Sequence, residues 1–254
     1  MIENKDFSYV EPTEALNIRI GMHKKYSNFS LEDYINNNFN FKNKKILDIG
    51  AGDGNLSALL AKEANQYIGV EKNATSILSA YNKYKNNHNM LFIQEDMDEQ
   101  HFLPLNSFDY VFFIYSSYYT NNAKLLFSRV YDLLKEDGTL ILIGPSKNNA
   151  WEVDDFCSSL FNKEQPSELR SNRITDEFNN VLKELNFDTT IENINFNLKF
   201  PNVEEYLLYI KSTLQYRDSF SSKVEVEYSN IEELLKNKYN LTLTKEIVSL
   251  CAKK

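Results

Sequence analysis

The chain has 254 residues, of which 42% are hydrophobic and 25% charged, so it is long enough to bury one sizeable core. Its formal net charge is -8 and no block of consecutive Lys or Arg stands out, which disfavours nucleic acid as a partner. The two cysteines are too few for a disulfide framework and form no CxxC pair, so we expect no metal site. Because the N-terminus lacks an apolar signal region and no apolar run is long enough to span a bilayer, we expect a soluble, cytoplasmic protein without membrane contact.

Two helices are predicted ahead of the first strand. Residues 14–26 have the period of an amphipathic helix, with these apolar residues on one face: Ala15, Ile18, Met22 and Tyr26. A second helix is expected from Ser30 to Phe39, because the Ser30 hydroxyl can cap it and Asp33 stands at the capping-box position. We therefore expect a helical segment over residues 1–44.

From residue 45 onward, apolar strands alternate with helices. The predicted strands are 46–49, 66–71, 90–94, 108–115 and 139–143, and the predicted helices between them are 56–64, 74–85 and 123–134, with a turn at 135–138. The alternation then loosens into a helix at 176–185, a strand at 189–200, helices at 203–214 and 231–239 and a strand at 241–252. Continuous apolar strands separated by helices indicate a parallel sheet covered on both faces. Two segments lack sheet character, roughly 147–173 and 201–238, and are interpreted as cover over the strand ends.

The first strand runs into a turn with three glycines, Gly50, Gly52 and Gly54, and Asp48 precedes the first of them by two positions. Glycines at this spacing suit a tight strand-to-helix turn that a ligand can approach closely. The dinucleotide-binding fingerprint has its last two glycines three apart, which this turn does not. The turn resembles motif I of the class I S-adenosylmethionine (SAM) dependent methyltransferases, and the alternative is a glycine-rich turn without a ligand.

Three further strand ends carry residues that fit the same resemblance. Glu71 follows the glycine turn at the distance in sequence, about 20 residues, of an acid that accepts hydrogen bonds from both ribose hydroxyls of a nucleoside. The resemblance implies that Asp96 accepts from the adenine amino group and that the Met97 amide reaches a ring nitrogen. It also implies that Ile114 and Tyr115 flank the methionine part of the cofactor. Lys72, which follows Glu71 directly, is assigned to this cofactor site as well.

The resemblance covers residues 45–145 and implies SAM as cofactor and S-adenosylhomocysteine as product. Its implied fold is a single α/β domain over residues 1–254, with a Rossmann-like, seven-stranded, mostly parallel sheet and helices on both faces. We divide it into an N-terminal helical cap (1–44), a SAM-binding core (45–146) and a C-terminal half (147–254). A lid over the acceptor is expected within the last part, at 201–238, between strands six and seven.

The sequence identifies the methyl acceptor less clearly than the cofactor. Methyltransferases of this fold that act on base amines carry an Asn/Asp-Pro-Pro-aromatic stretch after strand four, whereas this chain has Tyr-Ser-Ser-Tyr at 115–118. That difference disfavours nucleobase methylation. Tyr118 and Tyr119 are candidate catalytic residues, although a tyrosine of ordinary pKa near ~10 is a poor base and both rings could simply wall a pocket. His23 is the third candidate, with a surface histidine as the alternative.

Residues of the N-terminal and C-terminal segments complete the predicted site. Arg19 and Tyr26 neighbour His23 and are predicted to close over the cofactor or meet its carboxylate. The acceptor-side candidates, for which plain packing is the competing explanation, are Trp151, Tyr209, Tyr216 and Arg217. An arginine that points inward would indicate an anionic group on the acceptor.

These observations favour a SAM-dependent methyltransferase acting on an oxygen or nitrogen atom of a small metabolite, as a monomer or homodimer. Three alternatives stay open: a protein or RNA methyltransferase, an aminopropyl-type transferase on the same fold, and a non-catalytic SAM-binding subunit. Aminopropyl transfer normally needs an acidic pair near the end of strand four, which residues 115–119 do not offer.

Overall fold

The structure is a computed structural model that describes residues 13–99, 103–161, 172–219 and 228–254. Within them, the strands are β1 Lys45–Ile49, β2 Gln66–Glu71, β3 Met90–Gln94, β4 Phe108–Ile114, β5 Leu134–Pro145, β6 Asp188–Lys199 and β7 Thr242–Lys253. The first helices are α1 Thr13–Tyr26, α2 Leu31–Asn38, α3 Ser57–Ala61, α4 Ala74–Tyr84, α5 Ala123–Leu133 and α6 Trp151–Phe161. A π-helical turn, Arg173–Phe178, leads into α7 Asn179–Glu184. The last helices are α8 Val203–Ser212, α9 Leu214–Ser219 and α10 Tyr228–Glu233, which continues as a π-helical turn, Leu234–Lys238.

The described strands form one seven-stranded sheet in the order β3-β2-β1-β4-β5-β7-β6. Strands β1 to β5 run parallel, whereas β7 runs antiparallel to both β5 and β6. The order reverses between β1 and β4, so the carboxyl ends of these two strands flank the crevice where open α/β sheets bind ligands. The predicted α/β fold with a seven-stranded, mostly parallel sheet is confirmed.

Each face of the sheet carries its own apolar core, because alternate side chains of a strand point to opposite faces. On one face, residues of β1, β4 and β7 pack with α1, α6 and α8, for example Ile46, Phe112 and Met22. On the other face, α5 and α7 cover the sheet through residues such as Phe127 and Leu182. The predicted helices on both faces are therefore present.

The N-terminal helix α1 lies against the C-terminal part of the chain. Its predicted inner face is buried at Ala15 and Met22, while residues 1–12 of the predicted cap lie outside the described residues. Beyond its end, the Asn28 amide donates to the carbonyl of Asn197 on β6 over 3.3 Å, and the Asn197 amide donates to Oδ1 of Asn28 over 3.0 Å. These bonds hold α1 on the face that also carries α8, which brings residues far apart in the sequence close together.

The bounds of several helices and strands differ from the prediction. Helix α3 is only five residues long, rather than 56–64. Strand β5 begins at Leu134, so the predicted turn at 135–138 lies within the strand, and the pairing of β4 with β5 shifts register between Phe108 and Tyr110. The predicted helix 203–214 ends at Ser212, and α9 starts two residues later.

Helix α6 was not predicted at all. Its inward residues Val153, Phe156 and Cys157 have helical spacing and are fully buried, so the signal was present in a segment interpreted only as cover.

Asparagine side chains cap three of the helices. Asn73, Asn122 and Asn202 each accept a hydrogen bond from the backbone amide three residues later, at 2.8 to 3.0 Å, which starts α4, α5 and α8. No helix among the described residues is long and apolar enough to cross a membrane.

Candidate active site

The glycine turn between β1 and α3 has all three glycines at positive φ, with values of 81°, 57° and 79° for Gly50, Gly52 and Gly54. A Cβ on Gly50 would lie 2.2 Å from Cβ of Ser116, and one on Gly54 would lie 2.9 Å from the Tyr84 ring. A Cβ on Gly52 would meet no atom within 4 Å. The outer two glycines are therefore required for packing, whereas the middle one faces open space at the carboxyl edge of the sheet.

The end of β4 is tied to the end of β1 beside this turn. The Ser116 hydroxyl donates to the carbonyl of Ile49 over 2.5 Å, and the Tyr115 amide donates to Ile143 on β5 over 2.7 Å. Tyr115 adopts a left-handed φ of 55°, which is unusual for an aromatic residue and typical of strained functional positions. The sequence did not single out Ser116, although a small residue must follow β4 for Gly50 to fit.

Glu71 lies directly beside the open glycine. Its Oε2 accepts from the Gly52 amide over 3.2 Å, and its Oε1 accepts from the Asn73 amide over 2.8 Å. The carboxylate is only partly buried, so it can exchange these bonds for bonds to a ligand. The spacing read from the sequence is thus realised as a direct contact between the end of β2 and the glycine turn.

Asp48 is a buried carboxyl group at the end of β1. It is 4% exposed and accepts from the Tyr67 hydroxyl over 2.7 Å, and that hydroxyl also bonds to Ser57 over 2.7 Å. The pKa of Asp48 is raised to about 6, chiefly by burial and also by the nearby charge of Glu71, against the opposing effect of the Tyr67 hydrogen bond. A negative charge here is costly without a ligand and would be stabilised by a positively charged one.

The remaining predicted cofactor residues lie around the ends of β3 and β4. Lys72 approaches Asp96 with 3.7 Å between Nζ and Oδ2, and both side chains are partly exposed. Met97 packs against the core on the α5 face, whereas Ile114 packs against the core on the α1 face. The β3 loop is fixed to the β4 loop by Asp98, whose Oδ2 accepts from the Asn121 amide over 3.0 Å.

A second set of polar side chains lies at α1. These side chains come from three segments that are far apart in the sequence. The Tyr209 hydroxyl is 3.4 Å from Nε2 of His23 and 3.3 Å from Nζ of Lys245. The pKa of His23 is lowered to about 3, chiefly by burial and also by the charges of Lys245 and Arg19. His23 is therefore neutral at physiological pH. We call His23, Arg19, Tyr209 and Lys245 the α1 cluster.

Lys245 was missed by the sequence analysis. It lies at the start of β7, opposite Phe196 of β6, and points to the same face as the buried residues Leu243 and Ile247. The signal was available, because a lysine at an inward position of an alternating strand interrupts the apolar face.

Tyr115 directly follows β4 and is 38% exposed as a residue. Burial of its hydroxyl raises the pKa of that group, and the interaction with Tyr209 raises it as well.

The three predicted catalytic candidates do not come together. The Tyr118 ring lies over Gly144, near Ile174 of the opposite core, and it packs against Tyr119 with 4.7 Å between ring centroids. The Tyr118 carbonyl accepts from buried Arg173 over 2.9 Å. His23 instead packs edge-on against Phe196 of the other core.

The other predicted residues lie around the α1 face. Arg19 donates from Nη1 to the carbonyl of Ser212 over 2.5 Å, which joins α1 to α8. Tyr26 packs against Phe200 with 5.4 Å between ring centroids. Their side chains are partly buried, so both contribute to the cover on this face.

The remaining acceptor-side candidates are more peripheral. Trp151 is 47% exposed and contacts Tyr239 edge-on, while Tyr216 packs against the α1-face core. Arg217 donates from Nε to the carbonyl of Thr213 at the start of its own helix. The predicted lid segment contains α8, α9 and α10, and residues 220–227 of it lie outside the described residues.

Comparison with known proteins gives a family-model match over part of the chain and a likeness of fold. Residues 46–138 match the family model described as "Methyltransferase domain". An uncharacterized methyltransferase, YcgJ of Bacillus subtilis (strain 168), is 25% identical over 134 residues, which covers 52% of this chain and 53% of that protein. A putative methyltransferase of Geobacillus sp. (strain WCH70) is 37% identical over 103 residues, covering 39% of this chain and 41% of that protein. The chain thus matches only about half or less of the length of these curated relatives.

Solved structures extend the likeness across the whole fold. The YcgJ crystal structure superposes with a TM-score of 0.61 at 18% identity, covering 87% of this chain and 96% of that one. A Haemonchus contortus phosphoethanolamine N-methyltransferase, in complex with phosphomonomethylethanolamine and S-adenosylhomocysteine, has a TM-score of 0.52 at 19% identity, covering 94% of this chain and 52% of that one. At these identities the likeness establishes the fold alone.

Proposed function

Because residues 46–138 match the methyltransferase domain family model, we propose that this chain uses SAM to methylate an oxygen or nitrogen atom of a small metabolite. The observation that carries this proposal is the open, positive-φ Gly52 between the carboxyl groups of Asp48 and Glu71. SAM supplies a methyl group made electrophilic by its sulfonium. The chain has to position the acceptor in line with it and, where needed, remove a proton.

The residues around the glycine turn fit this cofactor chemically. The space above Gly52 admits a ligand close to the backbone, and the half-buried Glu71 carboxylate can accept from two ribose hydroxyls. The buried Asp48 carries a negative charge that suits the net positive tail of SAM. We assign Asp96 and Met97, which follow β3, to the adenine ring. The Haemonchus contortus neighbour holds S-adenosylhomocysteine, which supports SAM as the cofactor.

The α1 cluster fits the acceptor side. His23 is neutral, and its lowered pKa of about 3 makes the ring a weak base. We therefore assign it to hydrogen bonding with the acceptor, together with the Tyr209 hydroxyl 3.4 Å away, rather than to proton removal. Tyr118 and Tyr119 are proposed as part of the wall on the opposite side of the crevice. A small acceptor is supported by the cover that α1 and α8 form, and by the phosphomonomethylethanolamine in the Haemonchus contortus neighbour.

Calorimetric titration with SAM and with S-adenosylhomocysteine tests the cofactor assignment. Gly52→Arg fills the open space and should abolish binding, and Glu71→Ala should weaken it about tenfold or more by removing a charged acceptor. The matched controls are Gly21→Ala, where a Cβ meets nothing within 4 Å, and Glu63→Ala, an exposed acid elsewhere on the surface. Unchanged affinity in both site variants would reject the cofactor.

Incubation with labelled SAM and fractionated cell extract tests the reaction and the acceptor class. We expect the label in a small-molecule fraction. Label in protein or RNA would favour those alternatives, and transfer of an aminopropyl group would be visible as a different mass increment. Tight SAM binding without transfer to any fraction would favour the non-catalytic alternative.

A further inference from the structure

Lys245 is a buried lysine with too few partners. It is 6% exposed, and its ammonium makes one hydrogen bond within the described residues, to the Tyr209 hydroxyl at 3.3 Å. No described carboxylate oxygen lies within the 4.0 Å of an ion pair with it. Since an ammonium has three N–H donors and buried charges are normally paired, the arrangement leaves two donors for an acceptor from outside the chain.

Within the described residues, no acid contacts the Lys245 ammonium. The charge of Lys245 lowers the pKa of His23, which also indicates a positive charge at this position. Glu152 is the acid that Lys245 influences, but its Oε1 accepts from the Thr244 amide over 2.9 Å and burial raises its pKa. Glu152 therefore does not neutralise Lys245 by direct contact.

Lys245 lies at the same edge of the sheet as the glycine turn. It stands two residues before Ile247, which pairs with Pro145 at the carboxyl end of β5. An acceptor bound at this edge would have one end at the cofactor and the other end at Lys245.

We propose that Lys245, with Tyr209, binds an anionic group of the methyl acceptor, either a carboxylate or a phosphate monoester. Both groups are negatively charged and carry several oxygens that can accept hydrogen bonds from an ammonium and a phenol. The identity of the ligand as the acceptor rests on the proposed function, whereas the anion site itself rests on the described contacts. The inference places a negatively charged group on the acceptor, away from the atom that is methylated.

Anion binding is measured on the full chain with inorganic phosphate and with acetate, by calorimetry and by the shift of the thermal midpoint. Each titration is run with and without saturating S-adenosylhomocysteine, and acetamide serves as the neutral probe. We expect at least one anion to bind the wild-type protein and acetamide not to bind. The anion that binds more tightly identifies the class of group.

Three variants assign the binding to Lys245. Lys245→Met should weaken the anion at least about tenfold, since it removes a charged donor, while Lys245→Arg should retain binding. Lys253→Met is the control, because it makes the same change at an exposed lysine of the same strand. Lys245→Met should also raise the thermal midpoint of the free protein, because it removes a poorly paired buried charge. A lysine with only a structural role would lower the midpoint instead.

The outcomes separate the two proposals. If neither anion binds the wild-type protein, or if Lys245→Met responds like the wild type, the anion site is overturned. Phosphate also stabilises proteins non-specifically, so an equal midpoint shift in wild type and Lys245→Met counts against the site. If S-adenosylhomocysteine fails to bind, the proposed function fails, and the titrations without it still decide the anion site.

Discussion

The glycine turn and the α1 cluster both lie at the carboxyl edge of the sheet, but they are assembled differently. Asp48, Gly52 and Glu71 come from one short stretch of chain and from two adjacent parallel strands, β1 and β2. The α1 cluster takes His23, Tyr209 and Lys245 from opposite ends of the chain. The first region is local in sequence, and the second depends on how α1, α8 and β7 pack together.

The two regions also differ in the charge they bury. The turn holds an acid at energetic cost, and the cluster holds a lysine and a neutral histidine at energetic cost. Buried polar groups without full partners are typical of binding sites rather than of stabilising cores. This difference agrees with the two proposals, which assign a cationic ligand to the turn and an anionic one to the cluster.

The largest effect is expected from Gly50→Ala, which tests whether the turn is a packing element as well as a binding one. The new Cβ would lie 2.2 Å from Cβ of Ser116, at a φ of 81°, so unfolding should become easier by about 4 kcal/mol or more. Gly52→Ala, which meets nothing within 4 Å, should cost only about 1 to 2 kcal/mol, from its φ. Denaturant unfolding of both variants measures the difference, and equal losses would contradict the assignment.

His23→Gln tests the buried histidine of the cluster through pH. The pKa of His23 is about 3 in the folded chain, below its value when unfolded, so protonation of the unfolded state removes stability as pH falls below about 6.5. Between pH 7 and pH 4 the wild type should therefore lose about 3 kcal/mol more than the variant, which has no group to protonate. Denaturant unfolding at both pH values measures it, and parallel losses would show that His23 is solvated.

Asp48→Asn is the matching test at the turn, with the opposite sign. Because the folded pKa of Asp48 is raised to about 6, its contribution to stability is lost as pH rises from about 4 through 6. The variant should therefore be more stable than the wild type at pH 7, by about 2 kcal/mol, and lose SAM affinity. A variant that is less stable at pH 7 would show that the charge is already compensated in the free protein.

Tyr209→Phe gives the smallest expected change in stability and separates the two regions functionally. It removes the hydroxyl that bonds both His23 and Lys245, at a cost of about 1 kcal/mol. Turnover of the acceptor should fall while the SAM dissociation constant stays the same. Tyr34→Phe is the control, since it removes a hydroxyl that bonds an exposed acid, Glu192. Weakened SAM binding in Tyr209→Phe would instead indicate that the two regions form a single site.

Much of the fold could be predicted because its signals are local. The strands from residue 46 to 143 and the cap of α2 at Ser30 were readable from apolar period and capping residues. The bounds of α3 and β5 were not, since a helix of five residues has no full period and the register shift beside β5 depends on its neighbour β4. Helix α6 was missed because its segment was interpreted only as cover, although its apolar residues have helical spacing.

By itself, the sequence determined the glycine turn, the acid Glu71 at the end of the next strand and hence the region that would hold the cofactor. Strand, turn and next strand follow one another in the chain, so their spacing fixes which side chains meet. Only the tertiary structure decided that Ser116 closes on Gly50, that Tyr118 and Tyr119 lie away from His23, and that Lys245 joins His23 at Tyr209. Those contacts join segments from opposite ends of the chain, and no local pattern encodes them. They arise from the packing of α1 and α8 onto one face of the sheet.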